Sequence, residues 1–172
     1  MKNLKDLEFM ERAYEFGSKF STDPSTQNGC VLVDPSSNQI VSSGANYFPD
    51  GVLNKKERWE RPIKYSYVEH AERNTIFNAA KNGVKTNGLD MYCYWAACAD
   101  CARAIIQSGI SRLVTHKIIM DATYERWKDT IEIAFGMMRE VGIQLDEVTE
   151  PIEGIKIRFN GTLWTPNGKN NG

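Results

Sequence analysis

The sequence predicts an α/β domain of three layers (α/β/α), in which a central sheet of about five strands carries helices on both faces. The main observation is that segments with strand character alternate with segments of helical period after an initial helix and hairpin. The second is size, because 172 residues with 41% hydrophobic content suffice for one substantial core. We expect one domain over residues 1–160 and a flexible C-terminal tail over residues 161–172, where the final residues carry no hydrophobic side chains.

The first third of the chain predicts a helix, a hairpin and a long loop. Apolar residues recur at helical spacing over residues 7–20, which predicts the N-terminal helix. Residues 30–33 and 39–43 have strand character and flank a turn-forming segment, so they predict a β-hairpin. Residues 47–67 have no regular period, and irregular loops longer than about 12 to 15 residues are often functional.

The centre of the chain predicts two helices separated by a strand over residues 91–95. The first helix starts beside His70 and ends at Gly83, and the second starts beside Cys98 and ends at Gly109. Residues two apart point roughly 200° away from each other around a regular helix. We therefore expect His70 to lie just at the start of its helix, where its side chain can point to the same side as that of Glu72.

The remaining segments complete the alternating pattern. Residues 111–116 predict a strand, and residues 121–140 predict one helix that ends before Gly142. Residues 144–148 and 155–159 are short strand candidates. His70 and Cys98 then lie at the starts of the two central helices, beyond the carboxyl ends of the strands, where open α/β sheets bind their ligands.

Two short motifs, His70-Ala71-Glu72 and Cys98-Ala99-Asp100-Cys101, indicate a metal centre. Cysteines three apart share one helix face, so Cys98 and Cys101 can bind one ion together with His70. Zinc with three protein ligands is usually catalytic, because water in its open position has a pKa of about 7. Glu72 is then the natural proton carrier. This combination indicates hydrolytic deamination of a nucleobase.

Two other uses of these residues stay open at this point. A Cys-x-x-Cys pair that follows a strand and opens a helix is also typical of redox proteins or of a non-catalytic module. A closed structural zinc site would require a fourth ligand, for which Cys30, Cys93 and His116 are the obvious candidates. The two cysteines lie in apolar strand runs, and His116 ends a strand, so we expect two core residues and a hydrogen-bonded polar group.

Composition narrows the class of partner. A formal net charge of −1 and a pI near 6.2 argue against a broad nucleic-acid surface and favour small substrates. No stretch approaches the length of a membrane span, and the N-terminal segment is charged and amphipathic, unlike a secretory signal. Four cysteines, two of them assigned to a metal, do not form a disulfide framework. We expect a cytoplasmic protein with no membrane partner.

Several segments, in the same order, resemble the zinc-dependent cytidine and deoxycytidylate (dCMP) deaminase family, and the similarity spans nearly the whole chain. They are residues 21–30, residues 105–110, Gly44-Ala45-Asn46-Tyr47-Phe48-Pro49 and His70-Ala71-Glu72-Arg73-Asn74. The resemblance implies that His70, Cys98 and Cys101 bind catalytic zinc and that Glu72 shuttles protons. It also implies that Asn46 hydrogen-bonds the deoxyribose hydroxyl and that the Ala71 backbone amide contacts the cytosine carbonyl.

The resemblance further implies the reaction and its regulation. Family members convert dCMP to dUMP and ammonia, which feeds dTTP synthesis. Many are homohexamers activated by dCTP and inhibited by dTTP with Mg²⁺. No clear allosteric signature stands in this sequence. The other substrates that the same chemistry would serve are a free nucleoside, cytosine in single-stranded nucleic acid, and adenosine in RNA.

Two positions near the second motif depart from or extend the family pattern. Ala97 stands where the family has proline, and alanine can adopt the same turn at a modest entropic cost. Trp95 lies where polynucleotide cytidine deaminases carry a tryptophan. Its indole is suited to stack against the base. An equally good interpretation is that Trp95 is a core residue at the end of its strand.

Five cations lie in the long loop near the inferred sugar site: Lys55, Lys56, Arg58, Arg61 and Lys64. They could hold the phosphate of the substrate or the triphosphate of an effector. The alternative is a solvated loop, because the acidic residues Asp50, Glu57, Glu60 and Glu69 nearly balance these charges.

Overall fold

The computed structural model describes residues 2–169, without side-chain placements at positions 2, 3, 124 and 126. Its helices, besides a single 3₁₀ turn at Lys56–Trp59, are α1 (Lys2–Phe20), α2 (Lys64–Tyr67), α3 (Ala71–Lys81), α4 (Ala99–Gln107), α5 (Lys117–Asp121) and α6 (Tyr124–Glu140). Its strands are β1 (Gly29–Asp34), β2 (Gln39–Ala45), β3 (Asp90–Cys93), β4 (Arg112–His116), β5 (Gln144–Val148), β6 (Ile157–Phe159) and β7 (Thr162–Trp164). None of the described helices has the length and apolar character that crossing a membrane requires.

A five-stranded sheet in the order β2-β1-β3-β4-β5 forms the centre of the fold. Strand β1 pairs antiparallel with both β2 and β3, whereas β3, β4 and β5 run parallel to one another. The parallel part follows from the helical connections, because a crossover through a helix returns the chain in the same direction. The predicted α/β fold with about five strands is therefore confirmed.

The two faces of the sheet pack against different helices. Alternate residues of β1 point to opposite faces, so Leu32 joins a core with α3, α4 and α6, while Val31 joins a second core with α1 and α5. Strand β1 is buried on both sides, which explains why its sequence is a continuous apolar run. This packing fixes the starts of α3 and α4 next to each other at one edge of the sheet.

The predicted element boundaries need three corrections. The helix predicted over residues 121–140 is preceded by a further helix, α5, and the chain turns at residues 122–123 before α6 begins. The strand predicted over residues 91–95 ends at Cys93. The strand candidate at residues 155–159 is shorter, and it pairs with β7 in a separate hairpin instead of joining the central sheet.

The flexible tail predicted from residue 161 is also corrected, because residues 162–164 form β7. Asn160 and Gly161 have φ values of 51° and 85°, which suit the tight turn that an Asn-Gly pair makes between two strands. Phe159 and Trp164 pack with their ring centroids 5.5 Å apart, and the Ile152 amide donates to the Pro166 carbonyl at 2.8 Å. Regular structure therefore continues past residue 160, while positions 170–172 of the predicted tail lie outside the described residues.

The residues considered as a possible fourth zinc ligand have structural roles. Cys30 and Cys93 are fully buried and face each other across β1 and β3. The His116 Nε2–H donates to the Glu150 carbonyl at 3.0 Å, so Nδ1 accepts from the Tyr14 hydroxyl at 2.8 Å. Both nitrogens are thus satisfied by a neutral ring, and the predictions of two core cysteines and a hydrogen-bonded histidine are confirmed.

Candidate active site

The three predicted zinc ligands lie together at the starts of α3 and α4. His70 and Cys98 are the residues immediately before these helices, and both have extended backbone conformations. Cys101 lies in the first turn of α4. The expected position of His70 at a helix start is confirmed, and it leaves Glu72 in the first turn of α3.

The distances between these side chains fit a tetrahedral metal. The Nδ1 atom of His70 lies 3.7 Å from the Cys98 sulfur and 3.5 Å from the Cys101 sulfur. Zinc bonds of about 2.3 Å to sulfur and 2.0–2.1 Å to nitrogen place tetrahedral ligand atoms roughly 3.6 Å apart. Within residues 2–169 no fourth His, Cys, Asp or Glu joins the group, and a three-residue ligand set is typical of catalytic zinc.

The two cysteines form a pair in which one thiol is already acidic. The hydrogen bond from Cys101 lowers the pKa of Cys98 to about 3, with a further lowering by His70. The same contact, together with burial, raises the pKa of the Cys101 thiol well above its usual value. The Arg73 Nη1 donates to the Cys101 sulfur at 3.3 Å and so compensates thiolate charge at the site.

Glu72 is buried beside the ligands without being one of them. Its side chain is 1% exposed, and its Oε2 atom has no hydrogen-bond partner among the described residues. Burial raises the pKa of the Glu72 carboxyl above its ordinary value. A buried carboxyl with an unused oxygen is suited to accept and return a proton, which is the chemistry that the sequence predicted for it.

A single cleft brings most of the predicted site residues together. Besides His70, Glu72 and Cys98, it is lined by Asn46, Trp95 and residues of the long loop. Trp95 also packs against Phe159, with ring centroids 5.4 Å apart, so its side chain lines the cleft and contacts the core as well. Ala71 and Cys101 are buried and do not line the cleft.

Asn46 lies in this cleft with its amide group fully used by protein contacts. Its oxygen accepts from the Ser21 hydroxyl at 2.6 Å and from the Asn28 amide at 2.7 Å. Its nitrogen donates to Asp23 at 3.1 Å and to the Thr26 carbonyl at 2.7 Å. An asparagine side chain has no more than these two donors and two acceptor positions, so Asn46 organises residues 21–28 in this structure.

Sequence analysis missed several residues of the cleft. One is Asp23, which forms a buried ion pair at 2.5 Å with Lys64 of α2, one of the loop cations already considered for phosphate binding. Thr130 of α6 lines the cleft and accepts the Ala99 amide at 3.1 Å, which satisfies an N–H at the start of α4. Asn160 enters from the C-terminal hairpin. Asp23 stands in a segment that resembled the family, whereas Thr130 and Asn160 lie far along the chain and have no local motif.

Comparisons with known proteins agree with this geometry. The family model described as the cytidine and deoxycytidylate deaminase zinc-binding region matches residues 3–117, more than half of the chain. An uncharacterised deaminase in the luxG 3′ region of Aliivibrio fischeri is 36% identical over 137 residues, which cover 80% of this chain and 88% of the relative. Mouse deoxycytidylate deaminase is 32% identical over 167 residues, covering 94% and 89%.

Solved structures show the same fold. The dCMP deaminase of the cyanophage S-TIM5 in apo form has a TM-score of 0.65 and 21% identity, and the match covers 86% of this chain and 99% of that one. That phage enzyme has also been solved with dCMP and dUMP. With the matched family model and the mouse relative, the assignment is clear: this chain belongs to the zinc-binding cytidine and deoxycytidylate deaminase family.

Proposed function

We propose that this protein is a zinc-dependent hydrolase that converts dCMP to dUMP and ammonia. The observation that carries the proposal is the His70, Cys98 and Cys101 cluster, with the buried carboxyl of Glu72 in the same cleft. Membership of the deaminase family and the 32% identity to mouse deoxycytidylate deaminase support the choice of substrate. The proposal assigns residues up to at least 169 to one domain.

His70 Nδ1 and the sulfurs of Cys98 and Cys101 would hold the zinc ion. When bound, zinc supplies the Lewis acidity that activates water for attack on C4 of cytosine. Glu72 would take one proton from the attacking water and deliver it to N3 of the ring. It would then carry the proton of the new C4 hydroxyl to the amino group, which leaves as ammonia. One carboxyl therefore acts first as base and then as acid, and its burial keeps bulk water from competing for the proton.

Other residues in the cleft and next to it are proposed to position the nucleotide. Trp95 offers an aromatic surface to the cytosine ring, and the Ala71 amide, at the start of α3, is proposed to donate to the cytosine carbonyl. Asn46 is proposed to contact the deoxyribose hydroxyl, which requires it to exchange one present partner. The Ser21 hydroxyl is the partner to exchange. It also lies 3.1 Å from the backbone carbonyl oxygen of Asn46, so it can still donate a hydrogen bond after it leaves the side-chain oxygen.

Ammonia release from a panel of substrates tests this function. Zinc-loaded protein is given dCMP, CMP, deoxycytidine and a cytosine-containing oligonucleotide at equal concentrations. We expect dCMP to have the highest kcat/KM. Higher kcat/KM for deoxycytidine or the oligonucleotide would keep the zinc chemistry and overturn the substrate, whereas no release from any of the four would overturn deamination of cytosine.

The proposal extends to regulation, assembly and location on the family resemblance alone. It includes activation by dCTP, inhibition by dTTP with Mg²⁺, a homohexamer and a cytoplasmic location. Repeating the dCMP assay with each triphosphate tests the first two. dCTP should lower the dCMP concentration at half-maximal rate or raise the maximal rate, and dTTP with Mg²⁺ should do the opposite. Light scattering of the purified protein measures the assembly.

A further inference from the structure

The long loop between β2 and α3 contains five cations, and the structure separates them by their relation to the cleft. Arg61 and Lys64 line it, whereas Lys55, Lys56 and Arg58 do not. Arg58 donates to the Leu53 carbonyl at 3.0 Å and places its guanidinium 4.5 Å from the centre of the Tyr67 ring. Only two of the five loop cations are therefore placed to meet a ligand in the cleft.

The charge of Lys64 is balanced inside the protein. Its Nζ lies 2.5 Å from the Asp23 carboxylate, and the exposed fractions of the two side chains are 8% and 2%. Asp23 also accepts the backbone amides of Ser25 and Thr26, so the pair belongs to a connected network. Removing either charge would leave the other buried and unpaired, which is costly. The pair therefore adds no net positive charge to the cleft.

Arg61 has a different environment. Its side chain is exposed, and in the part of the chain that the structure describes it has no ion pair or hydrogen bond. The acidic neighbours along the loop, Glu57 and Glu60, do not line the cleft. Among the charged residues that line the cleft, Asp23 is paired with Lys64 and Glu72 is buried, so Arg61 gives the outer end its uncompensated positive charge.

The cleft has a buried end and an open end, and its charged residues lie at different depths between the two. Glu72, which is 1% exposed, and Cys98 lie at its inner end, whereas Arg61 and the 48%-exposed Tyr65 lie at its open end. A cytosine whose C4 meets the buried end directs its sugar outward and its 5′-phosphate to the opening. We infer that Arg61 binds the 5′-phosphate of the substrate and makes the cleft prefer a nucleotide to a nucleoside. This inference rests on the proposed function and names the residue that selects its substrate class.

Substitution of Arg61 by glutamine, measured with two substrates, tests the inference. A charge-assisted bond to a phosphate contributes enough free energy to lower kcat/KM for dCMP by roughly 10- to 100-fold when it is lost. Deoxycytidine has no phosphate, so its kcat/KM should stay within about twofold of wild type. Arg61→Lys should retain part of the preference, because it keeps the charge and loses the bidentate geometry. Arg58→Gln is the matched control from the same loop, and it should leave the ratio of the two substrates unchanged.

The outcomes separate this inference from the proposed function. If the wild-type protein does not prefer dCMP to deoxycytidine, the proposed function fails before any variant is considered. If the wild type prefers dCMP and Arg61→Gln keeps that preference as Arg58→Gln does, the function stands and the role of Arg61 is overturned. Equal losses for both substrates would also overturn it, because they would indicate a general structural effect. A selective loss for dCMP that shrinks at high salt supports it.

Discussion

Replacing Glu72 by glutamine separates proton transfer from every other property of the site. Glutamine has nearly the same shape, so it opens no cavity at a side chain that is 1% exposed. Glu72 does not belong to the group of three side chains that could hold the metal, so we expect zinc content to remain that of wild type. A single general acid–base group contributes roughly 10²- to 10⁴-fold, and Glu72 is proposed to act in more than one step. We therefore expect kcat for dCMP to fall by at least about 10³-fold.

The same variant should also change the thermal stability of the metal-free protein. Burial raises the pKa of the Glu72 carboxyl, so folded metal-free protein binds this proton more tightly than the unfolded chain does. Stability is then lost as pH rises from the ordinary carboxyl pKa through the raised one. Glutamine suffers no such loss. Metal-free Glu72→Gln should therefore melt above metal-free wild type at about pH 8, and the two melting temperatures should converge toward about pH 4.

Three measurements on one preparation test this reasoning: ammonia release, zinc per chain and melting temperature against pH. Asp100→Asn is the matched control, since it makes the same carboxylate-to-amide change at an exposed residue of α4. It should keep activity within about twofold of wild type, because exposed ion pairs contribute little. Turnover by zinc-loaded Glu72→Gln within about tenfold of wild type would refute the assignment of proton transfer to Glu72.

Three further predictions follow from contacts around the site. Arg73→Gln removes the donor at 3.3 Å from the Cys101 sulfur, so zinc affinity measured by chelator competition should fall by roughly 10- to 100-fold, and unchanged affinity would show that the contact is dispensable. Thr130→Val removes the acceptor of the Ala99 amide, so urea unfolding should show a loss of about 1 kcal/mol, and no loss would mean that this N–H finds another partner. Burial lowers the pKa of His116, so the folded state loses stability as pH falls below the ordinary histidine value of 6.5. In His116→Gln the drop in melting temperature between about pH 7 and pH 5 should be smaller than in wild type, and an equal drop would assign that pH dependence to other groups.

The sequence was sufficient to predict the sheet and the grouping of the three candidate zinc ligands, because both depend on local patterns. Alternating periods predicted the five strands, and the need for His70 and Glu72 to face one site placed His70 at a helix start. The hairpin formed by β6 and β7 was missed, although the Asn160-Gly161 pair between two short apolar segments is a local signal for a tight turn. Its strands are only three residues long, and their conformation is stabilised by the packing of Phe159 against Trp95 and Trp164.

The cleft shows a second limit of sequence analysis. The motif around Asn46 predicted its place in the site, but its hydrogen bonds to four partners depend on how residues 21–28 pass beside it. The loop cations were indistinguishable in sequence, because spacing alone does not show that Lys64 is paired with Asp23. Burial and partner choice are tertiary properties, and they decide which charges remain available to a substrate.

Titration of zinc into metal-depleted protein, with conversion of dCMP to dUMP as the readout, tests the central claim most directly. The rate should rise in proportion to bound zinc, reach its limit at about one ion per chain and stay near zero in Cys101→Ser, which lacks one of the three ligands. Full activity in protein shown to contain no zinc would contradict the assignment of these residues, and so would zinc-loaded protein that leaves dCMP unchanged.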